Sequence, residues 1–500
     1  MTRMLTPFIS YDPTETIQSY AARLAIVHTG RGAARLLTDL GIPHARFRSG
    51  DPEAVERLAG SAGENPASLQ ATTIRTLKRY NTFRGDDFSR SVLSPRVRQF
   101  CPHCLREDGA EEDWRHRLAW CFLSVPVCHR HGLTMLEVDD VDIDDVRDAV
   151  QAAGGLTVAE KGTEAAGAGT HAAWLHQRLA GQGAMNWLDD QTIEQVLNAS
   201  EMLGLVLEHG QQIRPATLSR VQRNQALALG FEIYEQGPDA VYAALSDIRG
   251  RSAATAVHAG PLAMYGILYD WLSRRSQMIA PGPIRNILRE HILDHDAYMA
   301  GEKLLGEWVM ERRLHSVKSL ALTLKVDRRR MSRLLQKLGM VPEGATDAES
   351  GRLVFPVREV EQLVQDYNYP VPLAELPGYV GGTQTQTQGL YRAGVFPALI
   401  PADAPGAVRG VIFARRMLDD FLTAIAALPV LEDGERDAVL SIGEACQRQG
   451  GTTDALISAV MSGKVAGFRM PGDARLHGLL VLKTDVVAFR RTALQGAETP

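Results

Sequence analysis

The 500 residues exceed the length of one ordinary domain, so we expect about two to four units with separate cores. Hydrophobic residues make up 45% of the chain and charged residues 23%, values that exclude a mostly disordered protein. A net charge of -5 excludes a polycation, so any contact with nucleic acid must come from local basic surfaces.

The sequence shows no signal for export or for a membrane. The first residues, MTRMLTPFISYDPTET, contain no unbroken apolar region, and no window of about eighteen apolar residues occurs in the chain. Four of the five cysteines lie between residues 101 and 128, which is not the arrangement of a secreted disulfide framework. We therefore predict a cytoplasmic protein with no membrane partner.

Residues 1–98 are predicted to form a helical module. Amphipathic helices are predicted over 12–28 and 33–40, and Asp51–Pro52 and Asn65–Pro66 are cap and first-turn pairs that open two more. The last helix is predicted to run through ENPASLQATTIRTLKRY and to form a helix-turn-helix with the one before it. Its candidate DNA contacts are Arg75, Lys78 and Arg79. The alternative is a small helical bundle with a solvated basic edge.

A zinc site is predicted within residues 99–150, in the stretch FCPHCLREDGAEEDWRHRLAWCFLSVPVCHRHGLTML. The first two cysteines form a CxxC pair, and CHRH offers a second pair at the same separation about two dozen residues later. Each spacing lets one tight turn direct two ligands at one ion, and zinc takes thiolates and imidazole in a tetrahedral array. We predict a structural Zn²⁺ held by Cys101, Cys104, Cys128 and His131.

Other chemistry for these sulfurs remains open. Cys101 and Cys104 could form a redox pair, although no βαβ pattern surrounds them, and a cysteine nucleophile could use a neighbouring histidine as its base. Both alternatives leave unexplained ligands that a closed site with four ligands would use. Cys121, within the apolar LAWCFLSVPV, is predicted to be a small buried hydrophobe. His116 and His129 are predicted to be exposed and to be minor alternates as ligands.

The region after the zinc module is predicted to be a linker followed by a helical scaffold. Residues 151–173 are rich in Ala, Gly and Thr without an apolar period, which indicates a linker or surface insertion. Residues 174–312 carry a nearly continuous helical pattern. No P-loop, dinucleotide-binding fingerprint or convincing carboxylate triad occurs, so we predict that the protein is not an enzyme.

The last third of the sequence contains a pattern that repeats three times, over 313–368, 369–428 and 429–500. Each segment reads as two helices, a glycine, a short β-rich run and a third helix, which is typical of a winged helix-turn-helix. The predicted fold class is therefore mainly α and multidomain. It comprises an N-terminal helix-turn-helix, a zinc ribbon, a helical middle and C-terminal winged helix-turn-helix units.

The first repeat carries the strongest signal for DNA binding. Asp327 is predicted to cap a helix that buries an apolar face and presents five cations, namely Arg328, Arg329, Arg330, Arg333 and Lys337. Such cations can neutralise phosphates, and arginines near the helix start can also read guanine edges in the major groove. The alternative is a solvated basic face. In the second repeat, Gln384 and Gln386 are candidates for pairing with adenine, or for a plain polar helix start.

The order CPHC, WRHRLAW and CHRHGLTML, preceded by TETIQSYAARLA, resembles the TniQ family, which includes the TnsD target selectors of transposons. The resemblance covers roughly the first third of the chain and implies the same four zinc ligands. It also implies a protein that binds target DNA, or docks on an RNA-guided complex, and recruits a AAA+ ATPase. Many members carry a further cysteine pair where this chain has EVDDVDIDDVRDAV, so a second zinc is not predicted.

These observations together predict a non-enzymatic DNA-binding adaptor that selects the target site for transposition and recruits the AAA+ ATPase. Its partners would be a double-stranded DNA target, the transposon ATPase and, in an alternative arrangement, an RNA-guided complex. The alternative function is a zinc-containing helix-turn-helix transcriptional regulator without a recombination partner.

Overall fold

The computed structural model describes residues 4–139, 142–167, 169–183, 186–252, 260–274, 279–342, 344–402, 410–432, 436–448 and 451–496. Over these residues the chain is mainly helical with short strands, as predicted. It divides into an N-terminal unit, Met1–Asp294 with Lys303–Trp308, and a C-terminal unit, His295–Glu302 with Val309–Pro500. Among the described residues, no helix is long and apolar enough to cross a membrane.

The N-terminal unit begins with five helices around one apolar core. They are α1 (Ile17–Thr29), α2 (Ala33–Asp39), α3 (His44–Arg48), α4 (Pro52–Ala62) and α5 (Pro66–Ala71). The side chains of Asp51 and Asn65 cap α4 and α5, as predicted. In contrast, α1 begins only at Ile17, with Thr16 as its cap, whereas the helix was predicted to begin at residue 12. The carboxylate of Asp12 instead accepts the backbone N–H of Thr14 and closes a turn before the helix.

The predicted helix through Tyr80 is wrong after residue 71. The hydroxyls of Thr72 and Thr73 both donate to the carbonyl of Leu69, at 3.0 and 2.7 Å, and the chain then becomes extended. It continues as an antiparallel sheet of β1 (Arg75–Thr76), β2 (Asn81–Phe83) and β3 (Asp86–Phe88). β-Branched residues favour strand over helix, which explains why the helix stops here. Arg75, Lys78 and Arg79 therefore lie on a strand and its turn, not on the second helix of a helix-turn-helix.

The cysteine-rich region is built on one antiparallel strand pair and three short helices. The elements are β4 (Gln99–Phe100), α6 (Pro102–Asp108), β5 (Leu136–Glu137), α7 (Val146–Ala152) and α8 (Leu156–Lys161). The segment 151–173, predicted to be a linker, is largely folded, because it contains the end of α7, all of α8 and the start of the next helix. Ala159 of α8 is buried in the core of this region, and Glu160 pairs with Arg106 of α6.

The remainder of the N-terminal unit is a helical layer with one short hairpin. It contains α9 (Gly169–Leu179), α10 (Ile193–His209), α11 (Arg220–Tyr234), α12 (Pro238–Gly250), α13 (Pro261–Ser273), α14 (Ile284–His295), β6 (Lys303–Leu304) and β7 (Glu307–Trp308). Helices α10 and α11 approach closely at two glycines. A methyl group on Gly204 would lie 1.8 Å from the carbonyl oxygen of Ala226, and one on Gly230 would lie 1.9 Å from that of Ser200.

The C-terminal unit repeats one order of elements three times, strand, helix, helix, strand, helix, with an additional helix in the first repeat and an additional strand, β13 (Gly467–Arg469), in the third. The first repeat contains β8 (Leu314–Ser316), α15 (Val317–Thr323), α16 (Arg328–Lys337), an additional α17 (Asp347–Arg352), β9 (Val354–Pro356) and α18 (Val357–Asn368). The second contains β10 (Val371–Pro372), α19 (Leu376–Val380), α20 (Gln384–Arg392), β11 (Ile412–Phe413) and α21 (Arg415–Ala426). The third contains β12 (Val439–Ser441), α22 (Ile442–Gln447), α23 (Thr453–Met461), β13 (Gly467–Arg469), β14 (Leu479–Leu482) and α24 (Lys483–Gly496).

The three repeats share their turns and their strand pairing. In each repeat the first strand pairs antiparallel with the last, as β8 with β9, β10 with β11 and β12 with β14. After the second helix of each, Gly339, Gly394 and Gly463 adopt positive φ angles of 71°, 77° and 72°, which glycine adopts without steric cost. The first repeat has its own core, while the second and third share one.

Candidate metal centre

The four predicted ligands come together in the N-terminal unit. Cys101 directly follows β4 and is the N-cap residue of α6, and Cys104 lies in the first turn of that helix. Cys128 and His131 occupy a tight turn, in which the N–H of Gly132 donates to the carbonyl of Cys128 at 2.8 Å. The antiparallel pairing of β4 with β5 brings the two ends of this segment together, so the two ligand pairs meet.

The separations of the ligand atoms suit zinc. The three sulfurs and His131 Nδ1 all lie within 4.8 Å of one another. Nδ1 is 3.5, 3.4 and 3.5 Å from the sulfurs of Cys101, Cys104 and Cys128, and the last two sulfurs are 3.6 Å apart. With Zn–S bonds of about 2.3 Å and a Zn–N bond of about 2.0 Å, a regular tetrahedron requires about 3.8 Å between sulfurs and about 3.5 Å between sulfur and nitrogen. The four side chains could therefore coordinate one ion tetrahedrally and leave no coordination position open.

The candidate site lies at the edge of a small apolar core. The three cysteines are buried, and the surrounding core includes Phe100, Leu105, Trp114 and Trp120. Arg117 covers the ring of Trp120 at 4.9 Å and pairs with Asp108 at 2.7 Å. Because so small a module has little core of its own, an ion bound to four side chains from two segments would contribute to its folding.

The remaining cysteine and histidines of this stretch do not join the cluster. Cys121 is fully buried, as predicted, and burial raises the pKa of its thiol. His116 was predicted to be exposed but is buried, and its Nε2 lies 3.3 Å from the carbonyl oxygen of Gln99. Desolvation lowers the pKa of His116 to about 4, so this imidazole is neutral at physiological pH. His129 stacks on His176 with ring centroids 4.0 Å apart.

Two charged groups flank the one histidine ligand. His131 Nε2 lies 3.1 Å from Glu107 Oε1, and Arg130 pairs with the other oxygen of Glu107 at 2.7 Å. Glu107 belongs to α6, the same helix that carries Cys104. Glu107 and Arg130 were not among the residues predicted from the sequence, although the spacing of Cys104 and Glu107 on a short helix could have indicated a shared face.

Helix α1 is attached to this region by backbone and side-chain hydrogen bonds. The N–H of Thr16 donates to the carbonyl of His116 at 2.9 Å, and the N–H of Leu118 donates to the carbonyl of Thr14 at 2.8 Å. The N–H of His116 in turn donates to Ser19 Oγ at 2.9 Å. The first helix and the candidate metal centre therefore belong to one folded module.

The predicted DNA-contact residues lie on three separate elements. In α16, Arg328, Arg329, Arg330 and Arg333 are exposed and Lys337 is half-exposed, while Asp327 caps the helix as predicted by accepting from two backbone N–H groups. In α20, Gln384 is exposed, but the Gln386 side-chain oxygen accepts the N–H of Thr383 and completes a capping box. Arg75, Lys78 and Arg79 are exposed on the small N-terminal sheet.

A Cys3His cluster that could hold one metal ion, in a mainly helical chain, defines a class of proteins with a candidate metal centre. Within that class, residues 6–135 match the family model TniQ, which confirms the resemblance and supports membership of the TniQ family. The matched range contains all four candidate ligands. A TniQ domain implies a DNA-binding protein associated with transposition, and thus interaction with DNA and transposon machinery. In a comparison with curated proteins, none matches the chain.

Proposed function

We propose that this protein is a non-enzymatic adaptor that binds a target site in DNA and recruits the AAA+ ATPase of a transposition system. The TniQ match over residues 6–135 supports a role in transposition. A structural Zn²⁺ on Cys101, Cys104, Cys128 and His131 would hold the N-terminal module in shape, since four protein ligands leave no open position for a reacting water.

The main support for DNA binding is the basic face of α16. Its apolar residues Met331 and Leu335 are fully buried in the core of the first repeat, so the opposite face is directed outward. That face carries the four exposed arginines described above. A helix that follows another across a short turn and presents cations near its start can enter the major groove, where arginine pairs with guanine and with phosphates.

The second and third repeats are less suited than the first to contact DNA bases. Their second helices, α20 and α23, pack directly against each other and share one core. The turn before α20 is also covered, because the N–H of His477 donates to the carbonyl of Gly381 at 2.8 Å. Helix α23 carries no basic residue. We therefore propose that the first repeat makes the principal base contacts and that Gln384 has a minor role.

A second contact with the DNA backbone is proposed for the turn between β1 and β2. Lys78 and Arg79 lie at this turn and Arg75 in the strand before it. The guanidinium of Arg90 donates to the carbonyls of Leu77 and Lys78, which holds the turn in place. A turn that is already ordered loses little conformational entropy on binding, so its cations are suited to phosphate contacts, which are independent of sequence.

A mobility-shift titration at several salt concentrations tests the role of α16. The triple variant Arg328→Ala, Arg329→Ala, Arg330→Ala should bind candidate insertion-site DNA more weakly, and the slope of log K against log salt should fall by about three. The control Arg358→Ala, Arg392→Ala, Arg448→Ala removes the same charge from exposed arginines on other elements of the C-terminal unit and should keep most of the slope. Equal losses in the two variants would contradict a specific role for α16.

Target selection and recruitment need separate measurements. A footprint on candidate insertion loci should reveal one protected site for the parent protein, and the purified transposon ATPase should be retained on that DNA only when the protein is present. A protected site without retention of the ATPase would favour the transcriptional regulator instead.

A further inference from the structure

We propose that Glu107 is a positioning residue for the metal ion: its carboxylate orients the imidazole of His131, and Arg130 in turn holds that carboxylate. The inference rests on the zinc site proposed above. It concerns two side chains outside the four ligands.

The position of Glu107 follows from the helix that also supplies a ligand. Cys104 and Glu107 are three residues apart on α6, a spacing that places two side chains on the same face of a helix. The turn that carries His131 lies against this face, so the imidazole is held between the sulfurs and the carboxylate. Glu107 itself is 46% exposed, and its position is therefore determined by its partners and not by burial.

The two nitrogens of the His131 ring have different surroundings. Nδ1 lies 3.4 to 3.5 Å from all three sulfurs, and Nε2 lies 3.1 Å from Glu107 Oε1. An ionised carboxylate can only accept a hydrogen bond, so Nε2 must carry the proton and the lone pair of Nδ1 is left for the ion. Carboxylate partners of this kind fix the tautomer and the ring orientation of histidine ligands.

The charges explain the part played by Arg130. A Zn²⁺ with three thiolates and a neutral imidazole has a net charge of -1, which would repel the carboxylate of Glu107. Arg130 lies 2.7 Å from Glu107 Oε2, the carboxylate oxygen that does not pair with His131, and offsets this repulsion. Arg130 should therefore act on the metal site through Glu107.

Zinc affinity of the full-length protein, measured by competition with a chromogenic chelator, tests the proposal. Glu107→Ala should raise the Kd for zinc about 10- to 100-fold, the usual effect of removing a partner of a ligand. Glu107→Gln keeps a carbonyl oxygen that can accept from Nε2, so its Kd should rise less. Glu112→Ala, which removes an exposed carboxylate nearby, is the matched control and should leave the Kd unchanged.

Three further measurements separate positioning from a general loss of structure. Nitrogen NMR of the zinc-loaded protein should show His131 protonated at Nε2, with faster exchange of that proton in Glu107→Ala. The cobalt spectrum of Glu107→Gln should keep the signature of three sulfurs and one nitrogen. Adding Arg130→Ala to Glu107→Ala should weaken zinc binding no further.

Different results would contradict the role of Glu107 and the zinc site itself. A Kd for Glu107→Ala equal to that of the Glu112→Ala control, or His131 protonated at Nδ1, would overturn the role of Glu107 alone. A parent protein that binds no zinc would overturn the zinc site together with this inference. Neither result bears on the mobility-shift test of α16, because that test follows a different unit of the chain.

Discussion

Glu15 and Arg23 form a buried ion pair, with 2.6 Å between the carboxylate and the guanidinium and side-chain exposures of 0% and 6%. Ser19 Oγ donates to the second oxygen of Glu15 at 3.2 Å. The backbone of Glu15 also forms a β-bridge with Arg117, where helix α1 meets the candidate metal centre. Breaking a buried pair leaves one uncompensated charge, so this contact is important for the stability of the TniQ domain.

The pair predicts how the stability of this domain depends on pH. Burial raises the pKa of Glu15 to about 7, with the opposing effect of Arg23 second in size. A folded pKa above the unfolded value means that the folded state binds more protons between pH values of about 4.5 and 7. The stabilisation from proton uptake is therefore full below about pH 4.5 and is lost as the pH rises through about 7, by at most about 3 kcal/mol.

Thermal melts of the parent and of Glu15→Gln across this pH range measure the effect. The variant cannot titrate at this position, so its stability relative to the parent should improve steadily from low to neutral pH, whatever its absolute loss from leaving Arg23 unpaired. Groups common to both proteins, including buried His116, cancel in the difference. A difference that is constant with pH would show that Glu15 has an ordinary pKa.

Removal of a single ligand should release the metal. We expect about one zinc per chain in the parent and close to none in Cys104→Ser, with a lower melting temperature for the N-terminal unit, because the remaining three ligands no longer close the site. Cys121→Ala is the matched control, since Cys121 is equally buried but lies outside the cluster. Mass spectrometry measures the zinc content of each protein. Loss of zinc from both variants would contradict the assignment of Cys104 as a specific ligand.

Features coded by a few neighbouring residues were predictable from the sequence. The four metal ligands occur as two pairs with fixed spacing, and short spacings constrain geometry strongly. The cap at Asp327 and the glycine at 339 follow from the local chemistry of helix ends, and the structure confirms both. The threefold repeat was visible for the same reason, since each unit carries its own turn signals.

Features that depend on distant contacts were not predictable. Glu15 is a charged residue with no local sign of burial, and only the packing of α1 against residues 114–118 shows that its carboxylate is buried. The segment around Ala159 contains Leu156 and Val158 but no helical period of large apolar residues, so its pattern gives no sign that this region packs into a core. The end of α5 depended on hydroxyls of Thr72 and Thr73 that compete for a helix carbonyl, an effect that simple periodicity omits.

Two glycines in helices should respond oppositely to replacement by alanine. A methyl group on Gly204 would lie 1.8 Å from a backbone oxygen of α11, so Gly204→Ala must separate two helices and should cost at least about 2 kcal/mol. Gly60 lies in α4 with nothing within 4 Å of the added methyl group. Gly60→Ala should therefore stabilise the protein by about 0.5 to 1 kcal/mol through helix propensity. Melting temperatures of both variants provide the test, and a tolerated Gly204→Ala would contradict the close packing of α10 and α11.

Asp327 has a structural role as a helix cap and an electrostatic role as a negative charge, and two substitutions can separate them. Its carboxylate accepts the N–H groups of Arg329 and Arg330 at 3.0 and 3.2 Å, yet its negative charge lies beside the arginines proposed to contact DNA. Asp327→Asn retains a capping oxygen, so stability should change little, while DNA affinity at low salt should increase because one repulsive charge is gone.

Asp327→Ala removes the cap as well and should cost about 1 kcal/mol of stability in the first repeat. Comparison of the two variants by thermal melts and mobility shifts therefore distinguishes the two effects. If the charge at this helix start faces phosphates, the gain in affinity of Asp327→Asn must shrink as salt is raised, because screening weakens the same repulsion that the substitution removes. A gain that persists at high salt would instead mean that the asparagine makes a new direct contact, and weaker binding at low salt would place the DNA elsewhere.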